Sequence, residues 1–549
     1  MSLSVAEYRN MCGRAGRYGL TKDSYGRSFL IAKSGIDVPA LMESYVKLPP
    51  EPLKSQLFQR PMADLLLKTL ANSLCDTADG CYRFLKKTFA AMEFVRSPSD
   101  EQRVQNSIRQ AIESLIRCEL LATDKKAKLI VTPLGMICAS SGLLVESFTP
   151  ILDGVRKTKP TALDVAYMAS QAVDAGAQAC NLRFSTSEYD NRTTAYVQML
   201  TQAEANEPSS LMAAFLASLA PGVRPSYETA HAMKYQCVAY MFAMGIASQE
   251  IESKLSASAG KARLIGSYCS WVADTAAKIA WSINRPDDAK AYERVSDRFT
   301  FGCTAAALLV ASASRALHRA ERESLVQAGY DSLTKIVQTK PVDIARTVRI
   351  DRVRVERLQK DIVELLGDSL GIEQRQSARM TAIGKPIKQL EELYAIKGTS
   401  LEQVIEEILT APFCPIQVTR ITPQREGEAD IKIAFPKGYN GVAGVTAKES
   451  PTDKVGINKA LAVMTQSPEL KPKVFISIGR PDFLPDAIKK ATEHAKNGFN
   501  IKLLPLHVLA EMYVLYHEGM LSSDQVVDIL DSERGYINLQ SLAAYVGRK

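Results

Sequence analysis

Residues 146 to 310 contain no strand-like alternation; Ala-rich amphipathic stretches run through them and break at "KTKPTALD", "NEPSS", "APGVRP" and "NRPDD". An apolar stripe at helical spacing is buried only against other helices, so this block is expected to fold as a helical bundle. From about residue 412 the pattern changes. Strand-like runs "ADIKIAF", "VAGVTAK", "KVFISIG" and "NIKLLPL" alternate with helical stretches at 455 to 465 and 483 to 496, the order of an α/β domain. A chain of 549 residues has room for about three or four domains. Its composition, 46% hydrophobic and 23% charged, is that of ordinary globular proteins.

Residues 1 to 60 read as a short helix, a strand "SFLIAK" (28 to 33) and a proline-bearing strap "YVKLPPEPLKSQL". Phe29 and Ile31 alternate with Leu30 as in a strand with neighbours on both sides. From 61 to 145 come helices at 61 to 74, 80 to 95 and 100 to 117, then two β-rich runs around a Lys-rich turn, the order of a winged helix. Arg103, Arg109 and Arg117 on the third helix, with Lys125, Lys126 and Lys128 in the wing, suit phosphate contacts, as they also suit a solvated face.

Within the bundle, "GKARLIGSYCSWVADTAAKIAWSIN" (260 to 284) reads as a long helix holding both tryptophans. Trp271 follows Arg263 by eight residues and precedes Lys278 by seven, so the three share a side of that helix, with Lys261 near its start. An indole beside cations is the equipment of a base-stacking platform, and equally a common feature of helix cores. Residues 318 to 348 then give helix, glycine turn, helix, and lead into a longer helix after Pro341. On a wheel for 342 to 366, Ile344, Val348, Val355, Leu358, Ile362 and Leu365 gather opposite Arg346, Arg349, Arg357 and Lys360. Six basic residues stand against three acidic ones between 341 and 360, which concentrates there part of the formal net charge of +8.

Some chemistry is absent from these residues. No G-x-x-x-x-G-K-[ST] loop occurs, so the chain has no phosphate cradle of the P-loop type. The ten cysteines form no C-x-x-C pair, which fits free thiols in a reducing cytoplasm and no metal site. The longest apolar run, "TAAALLVASA", is about half the length that crosses a bilayer, so no membrane segment is expected.

"NMCGRAGRYG" (10 to 19) resembles the final motif of superfamily 2 helicases, Q-x-x-G-R-x-G-R, with Asn10 in place of Gln. The resemblance implies that Arg14 and Arg17 are arginine fingers, reaching the terminal phosphate of an ATP held by other residues. The order that follows, "PPEPLKSQL", winged helix, helical bundle and hairpin module, is similar to polymerase-theta-type DNA repair helicases over roughly residues 5 to 350. By that likeness 260 to 284 is the ratchet helix, with Trp271 on the family tryptophan. "LHRAERESLVQAGYDSLTKI" resembles the terminal helix-hairpin-helix without its G-x-G turn. The last domain resembles Mrr-type restriction endonucleases, which set an Asp on one strand and E-x-K or Q-x-K on the next to hold Mg²⁺ and orient a water. Asp430 and Lys448 match; Thr446 stands where the second acid belongs, with Glu428 and Glu449 as nearby substitutes.

The expected fold is therefore mainly α and multidomain. It comprises the end of a RecA-like domain and strap (1–60), a winged helix (61–145), a helical ratchet bundle (146–310), a degenerate helix-hairpin-helix with a basic helix (311–366), a linker (367–411) and an α/β nuclease-like domain (412–549). The resemblance implies the C-terminal portion of an ATP-dependent DNA helicase that binds single-stranded or branched DNA. ATP and Mg²⁺ would enter only with the nucleotide-binding motor half, supplied in cis or in trans. Two other readings share the residues: a metal-dependent nuclease with a DNA-binding arm, and a non-catalytic interaction scaffold.

Overall fold

The computed structural model describes all residues except 1–3, 14–27, 52–53, 56, 126, 220–222, 367–369, 411, 422–428, 437, 449–454, 457–473, 481, 497–499 and 547–549. It is mainly helical with a two-stranded and a six-stranded sheet. The chain divides into two units, Met1–Ala139 and Ser140–Lys549, each taken by itself below.

In the first unit, helix Val5–Gly13 buries only Val5. Its free N-terminal amides are satisfied by the strap: Val5 and Ala6 N–H donate to the Glu51 carboxylate at 2.8 and 2.9 Å, where the helix dipole favours negative charge. The strand expected at 28–33 is not there: these residues carry no ladder, and Phe29 and Ile31 are 81% and 86% exposed. An extended segment gains its hydrogen bonds only from a neighbour, and no strand lies alongside among the described residues.

Helices Met62–Ala71, Ala78–Lys86, Phe89–Phe94 and Pro98–Arg117 precede a hairpin of β1 (Leu121–Thr123) and β2 (Leu129–Val131), antiparallel with Leu121 opposite Val131. The single helix expected at 80–95 is broken where Thr88 Oγ1 takes the Ala91 N–H and starts a new one. Pro98–Arg117 opens on a capping box of Ser97 and Asp100 with proline in its first turn, and buries Ile108, Ala111, Ile112 and Leu115 on one face. Behind the hairpin Gly135 is obligatory, since a Cβ there would lie 2.1 Å from the Leu120 carbonyl oxygen.

The second unit begins with helices from Val145–Lys157 to Pro286–Phe301. At their centre helix Ala259–Ser282 turns a face of small residues inward, among them Ala262, Gly266, Ala273, Ala276 and Ala280, which lets neighbouring helices approach closely. A Cβ at Gly266 would come within 2.4 Å of the Phe242 ring.

Next come helices Arg319–Gln327, Leu333–Gln338, Pro341–Val348 and Arg352–Leu366. The single helix expected beyond Pro341 is thus two. Arg349 takes the left-handed conformation (φ 58°), the Ile350 N–H returns to Ala345 O, and the Asp351 carboxylate accepts the Val353 N–H at 2.9 Å to start the second helix. The apolar side is nevertheless as expected: Ile344, Val355, Leu358 and Ile362 are buried, and Val348 packs against the same core. The Leu365 side chain lies outside the description.

Residues 370–410, read from sequence as linker with one polar helix, form helices Leu370–Ala382, Lys388–Ala395 and Gly398–Thr410, whose buried residues share a core with the last domain. That domain's sheet runs β3 (Gln417–Arg420), β4 (Ile431–Ala434), β5 (Asn440–Ala447), β6 (Val474–Arg480), β7 (Ile501–Pro505), β8 (Gly535–Tyr536) in spatial order. The first three strands are antiparallel and β5 to β8 parallel. Ile431, Ile433, Val445, Ile476 and Ile478 face the shared core; Val442, Phe475, Ile501 and Leu503 face Ala487 and Ala491 of helix Pro485–Lys496. Of the helix expected at 455–465, residues 457–465 lie outside the described residues.

Helix Pro286–Phe301 ties bundle and sheet together. Arg420 on β3 reaches it with a bidentate pair to Glu293 (2.6 and 2.7 Å), and Lys290 and Arg294 pair with Glu406 and Glu407 (2.9 and 2.7 Å). Asp297, which accepts from the Ser400 hydroxyl, borders a cavity of about 960 Å³ between these helices. Burial, reinforced by Asp274 and Glu293, lifts its carboxyl to about 6. A folded-state value above the unfolded one, about 3.9, means the folded protein holds the extra proton between those limits, so stability falls as pH rises from about 4 to about 6. Asp297→Asn is expected to remove that fall and raise the Tm at neutral pH; equal pH profiles of Tm in the two proteins would contradict it.

Candidate nucleic-acid interface

Helix Ala259–Ser282 starts after Ser258 and runs for about 36 Å at 1.5 Å per residue. Its buried face takes Ala262, Ile265, Cys269, Val272, Ala276 and Ile279. Successive turns of the remaining side carry Gly260, Arg263, Ser267, Trp271 and Lys278; all are exposed but Trp271, which is half-buried. Asp274 lies between the tryptophan and Lys278 on this side.

The Trp271 ring is fixed at one edge. Its indole N–H donates to Ser141 O at 2.8 Å, Gly142 in a left-handed turn (φ 83°) lies close enough that a Cβ there would be 3.7 Å from the indole Cζ2, and the Tyr268 ring is 6.4 Å away. A polar edge held by backbone leaves the rest of an indole to apolar contact. Arg263 is in no ion pair among the described residues. Lys261 is not part of this strip. Two residues from Arg263 it lies on another side of the helix, where its ammonium donates to Cys180 O at 2.7 Å.

The basic residues at 341–360 fall into two groups. Arg352, Arg354 and Lys360 pair with Glu356, Glu321 and Glu364. Arg346, Arg349 and Arg357 are exposed and form no ion pair among the described residues, and Arg349 stands at the tip of the turn. In the first unit Arg109 and Lys125 are exposed. Lys128 is occupied at 2.5 Å by Asp76, whose carboxyl is held below its usual range by that ammonium, and Arg103 lies 3.8 Å from Asp100. Lys126, and the two arginines Arg14 and Arg17, lie outside the described residues.

In the last domain Asp430 is buried beside β4, and its carboxylate accepts the Val445 N–H at 2.6 Å. Lys448 follows β5 and is exposed; by the two-residue period it shares a side of that strand with Thr446. Glu428 and Glu449 lie outside the described residues. Sequence reasoning overlooked Arg319 and Arg322, one helical turn apart at the start of helix Arg319–Gln327; "RAER" was the available signal.

No protein-family model matches the chain. Among curated proteins it is similar to the ATP-dependent DNA helicase Hel308 of Caldivirga maquilingensis, with 34% identity over 118 residues, 21% of this chain and 15% of that protein. The Hel308 of Methanocella arvoryzae is 29% identical over 158 residues, covering 29% and 20%. That of Pyrobaculum calidifontis is 22% identical over 372 residues, covering 67% of this chain and 48% of the relative. The chain thus spans about half, or less, of the length of these relatives. Among solved structures, restriction endonuclease FokI aligns over 79% of this chain and 84% of its own, with 9% identity and a TM-score of 0.27, a value too low to establish a common fold.

Proposed function

We propose that the chain grips DNA, single-stranded or branched, as the strand-binding portion of a superfamily 2 helicase. The observation that carries this is the outward strip of helix Ala259–Ser282, an aromatic ring and two cations left at the surface by a helix that buries its other sides. Similarity to DNA helicases over 67% of the chain supports it. Arg346, Arg349 and Arg357 add exposed cations that hold a strand without reading its sequence; in the first unit, taken by itself, Arg109 and Lys125 are exposed cations of the same kind. Arg14 and Arg17 neutralise the terminal phosphate of ATP–Mg²⁺ bound by a motor half with its own P-loop, in cis or in trans.

For the last domain, we infer DNA binding rather than cleavage. A metal-dependent nuclease needs two carboxylates around its ion, and Thr446 supplies only a hydroxyl beside Asp430 and Lys448.

Fluorescence anisotropy with labelled single-stranded, forked and duplex oligonucleotides tests the reading. Binding is expected to weaken steeply with salt, without ATP turnover. No binding to any of the three at low salt, or hydrolysis of ATP by this chain alone, would overturn it. Incubation of the same DNAs with Mg²⁺ or Mn²⁺ is expected to leave them intact; cleavage lost in Lys448→Ala would establish the nuclease instead.

A further inference from the structure

Two free thiols of the first unit are held sulfur to sulfur. Cys75, half-buried in the turn between helices Met62–Ala71 and Ala78–Lys86, puts its Sγ 3.0 Å from that of Cys81, which is fully enclosed on the second helix. Gly80 makes this approach possible. A Cβ there would lie 3.3 Å from Cys75 Cβ and 3.0 Å from Thr77 Oγ1, so a side chain at 80 would crowd Cys75 on the helix. A disulfide spans about 2.05 Å, so side-chain movement of about 1 Å separates the pair from a covalent link.

The segment between the two sulfurs is the footing of the β1–β2 hairpin. The Asp76 carbonyl oxygen accepts the Leu129 N–H of β2 at 2.7 Å, and the Asp76 carboxylate holds Lys128 at 2.5 Å. Thr77 caps the helix, its Oγ1 accepting the Gly80 N–H at 3.1 Å. Leu74, next to Cys75, is 57% exposed, so small solutes reach this turn. Of the two cysteines only Cys75 reaches the surface. Burial, and then the hydrogen bond with Cys75, push the Cys81 thiol far above its usual range, so Cys81 keeps its proton and an oxidant meets Cys75 first.

We propose that Cys75 and Cys81 are a site of reversible oxidative modification, a thiol pair that hydrogen peroxide converts into a disulfide clasp at the foot of the hairpin. The Cys75 sulfur attacks the peroxide: its S–O bond forms as the O–O bond breaks, and the thiol proton leaves with the other oxygen as water. The Cys81 sulfur then attacks the Cys75 sulfenic acid; the S–S bond forms, the S–O bond breaks, and the departing hydroxide takes the Cys81 proton as a second water. The two thiols give up two electrons in all, and the peroxide receives them. A dithiol reverses the link by exchange, becoming a disulfide itself. Such a transient link is the kind that a reducing compartment permits. Closing the short loop takes freedom from the opened chain and fixes Asp76, and with it β2, to helix Ala78–Lys86. The inference is independent of the strand-binding reading above.

The test treats the full chain with hydrogen peroxide, blocks the remaining thiols by alkylation and maps the peptides. The expected product is a peptide linked between Cys75 and Cys81, formed in the native protein and lost on addition of dithiothreitol. Hydrogen exchange at the Leu129 amide is expected to slow severalfold in the linked protein, because opening of that bond now requires the clasped turn to move. Cys75→Ser, a change at the half-buried position, is expected to show neither the link nor the slowing under the same treatment. Cys81→Ala is expected to stop at the Cys75 sulfenic acid, which dimedone traps. Recovery of Cys75 and Cys81 both alkylated from peroxide-treated wild type would overturn the site, as would a link that forms only in urea. A native link that leaves Leu129 exchange unchanged would overturn the clasp.

Discussion

Arg420→Ala is expected to destabilise the larger unit by about 3–5 kcal/mol, the loss typical when one partner of a buried ion pair is removed. The Arg420 and Glu293 side chains are 5% and 9% exposed and meet in two parallel bonds of 2.6 and 2.7 Å. The same guanidinium lies 5.3 Å from the Trp281 ring, and the Trp281 indole N–H donates to Glu293 at 3.3 Å. Truncation therefore strands the Glu293 carboxylate in an enclosed place with one indole donor and the cation of Lys290 a turn away, itself committed to Glu406. Most of the loss is the cost of that uncompensated charge rather than the attraction forgone. Replacing both partners, Arg420→Met with Glu293→Leu, is accordingly expected to recover most of the stability. Urea titrations read this from the denaturation midpoint at constant slope. A loss below about 1 kcal/mol in Arg420→Ala would show the pair to be solvated, as surface pairs are.

That pair also marks the limit of what was legible in the sequence. Its partners are 127 residues apart, and neither "YERVSD" nor "QVTRIT" carries a sign of the other. Local signals fared better. The helices of the bundle and strands β4 to β7 followed from their hydrophobic patterns, whereas β8, two residues long, is too short to show a period, and β3, "QVTR", alternates but carries one strongly apolar residue, Val418. The turn at Arg349 was invisible because arginine there takes the left-handed conformation usually marked by glycine. "SFLIAK" has strand composition, but a strand is a relation between segments, and no neighbour pairs with it among the described residues. On the candidate site, the spacing of Arg263, Trp271 and Lys278 placed all three on one strip, and the same geometry excludes Lys261. The enclosed cations Arg319 and Arg322 depend on how one helix seats against Phe242 and Gly302, which no local pattern encodes.

Trp271→Ala is expected to raise the Kd for a single strand by about 5- to 150-fold, the equivalent of about 1–3 kcal/mol for one base stacked on an aromatic ring. The slope of log K against log salt should stay unchanged, because no charge has been removed. Trp271→Phe separates the ring from its anchor. It keeps an aromatic face but gives up the N–H donated to Ser141 O, so it should retain more affinity than the alanine variant, with a modest loss of Tm from the lost indole hydrogen bond. Arg263→Gln should do the converse of Trp271→Ala, flattening the salt slope at a smaller cost in affinity. Because one rigid helix presents both side chains to one strand, the double variant should lose less than the sum of the single losses: once the base no longer stacks, the phosphate is no longer held over the arginine. Kd values for Trp271→Ala within twofold of the wild type, with strand binding otherwise intact, would mean that the ring serves the fold at Ser141 and that the strand runs elsewhere on the protein.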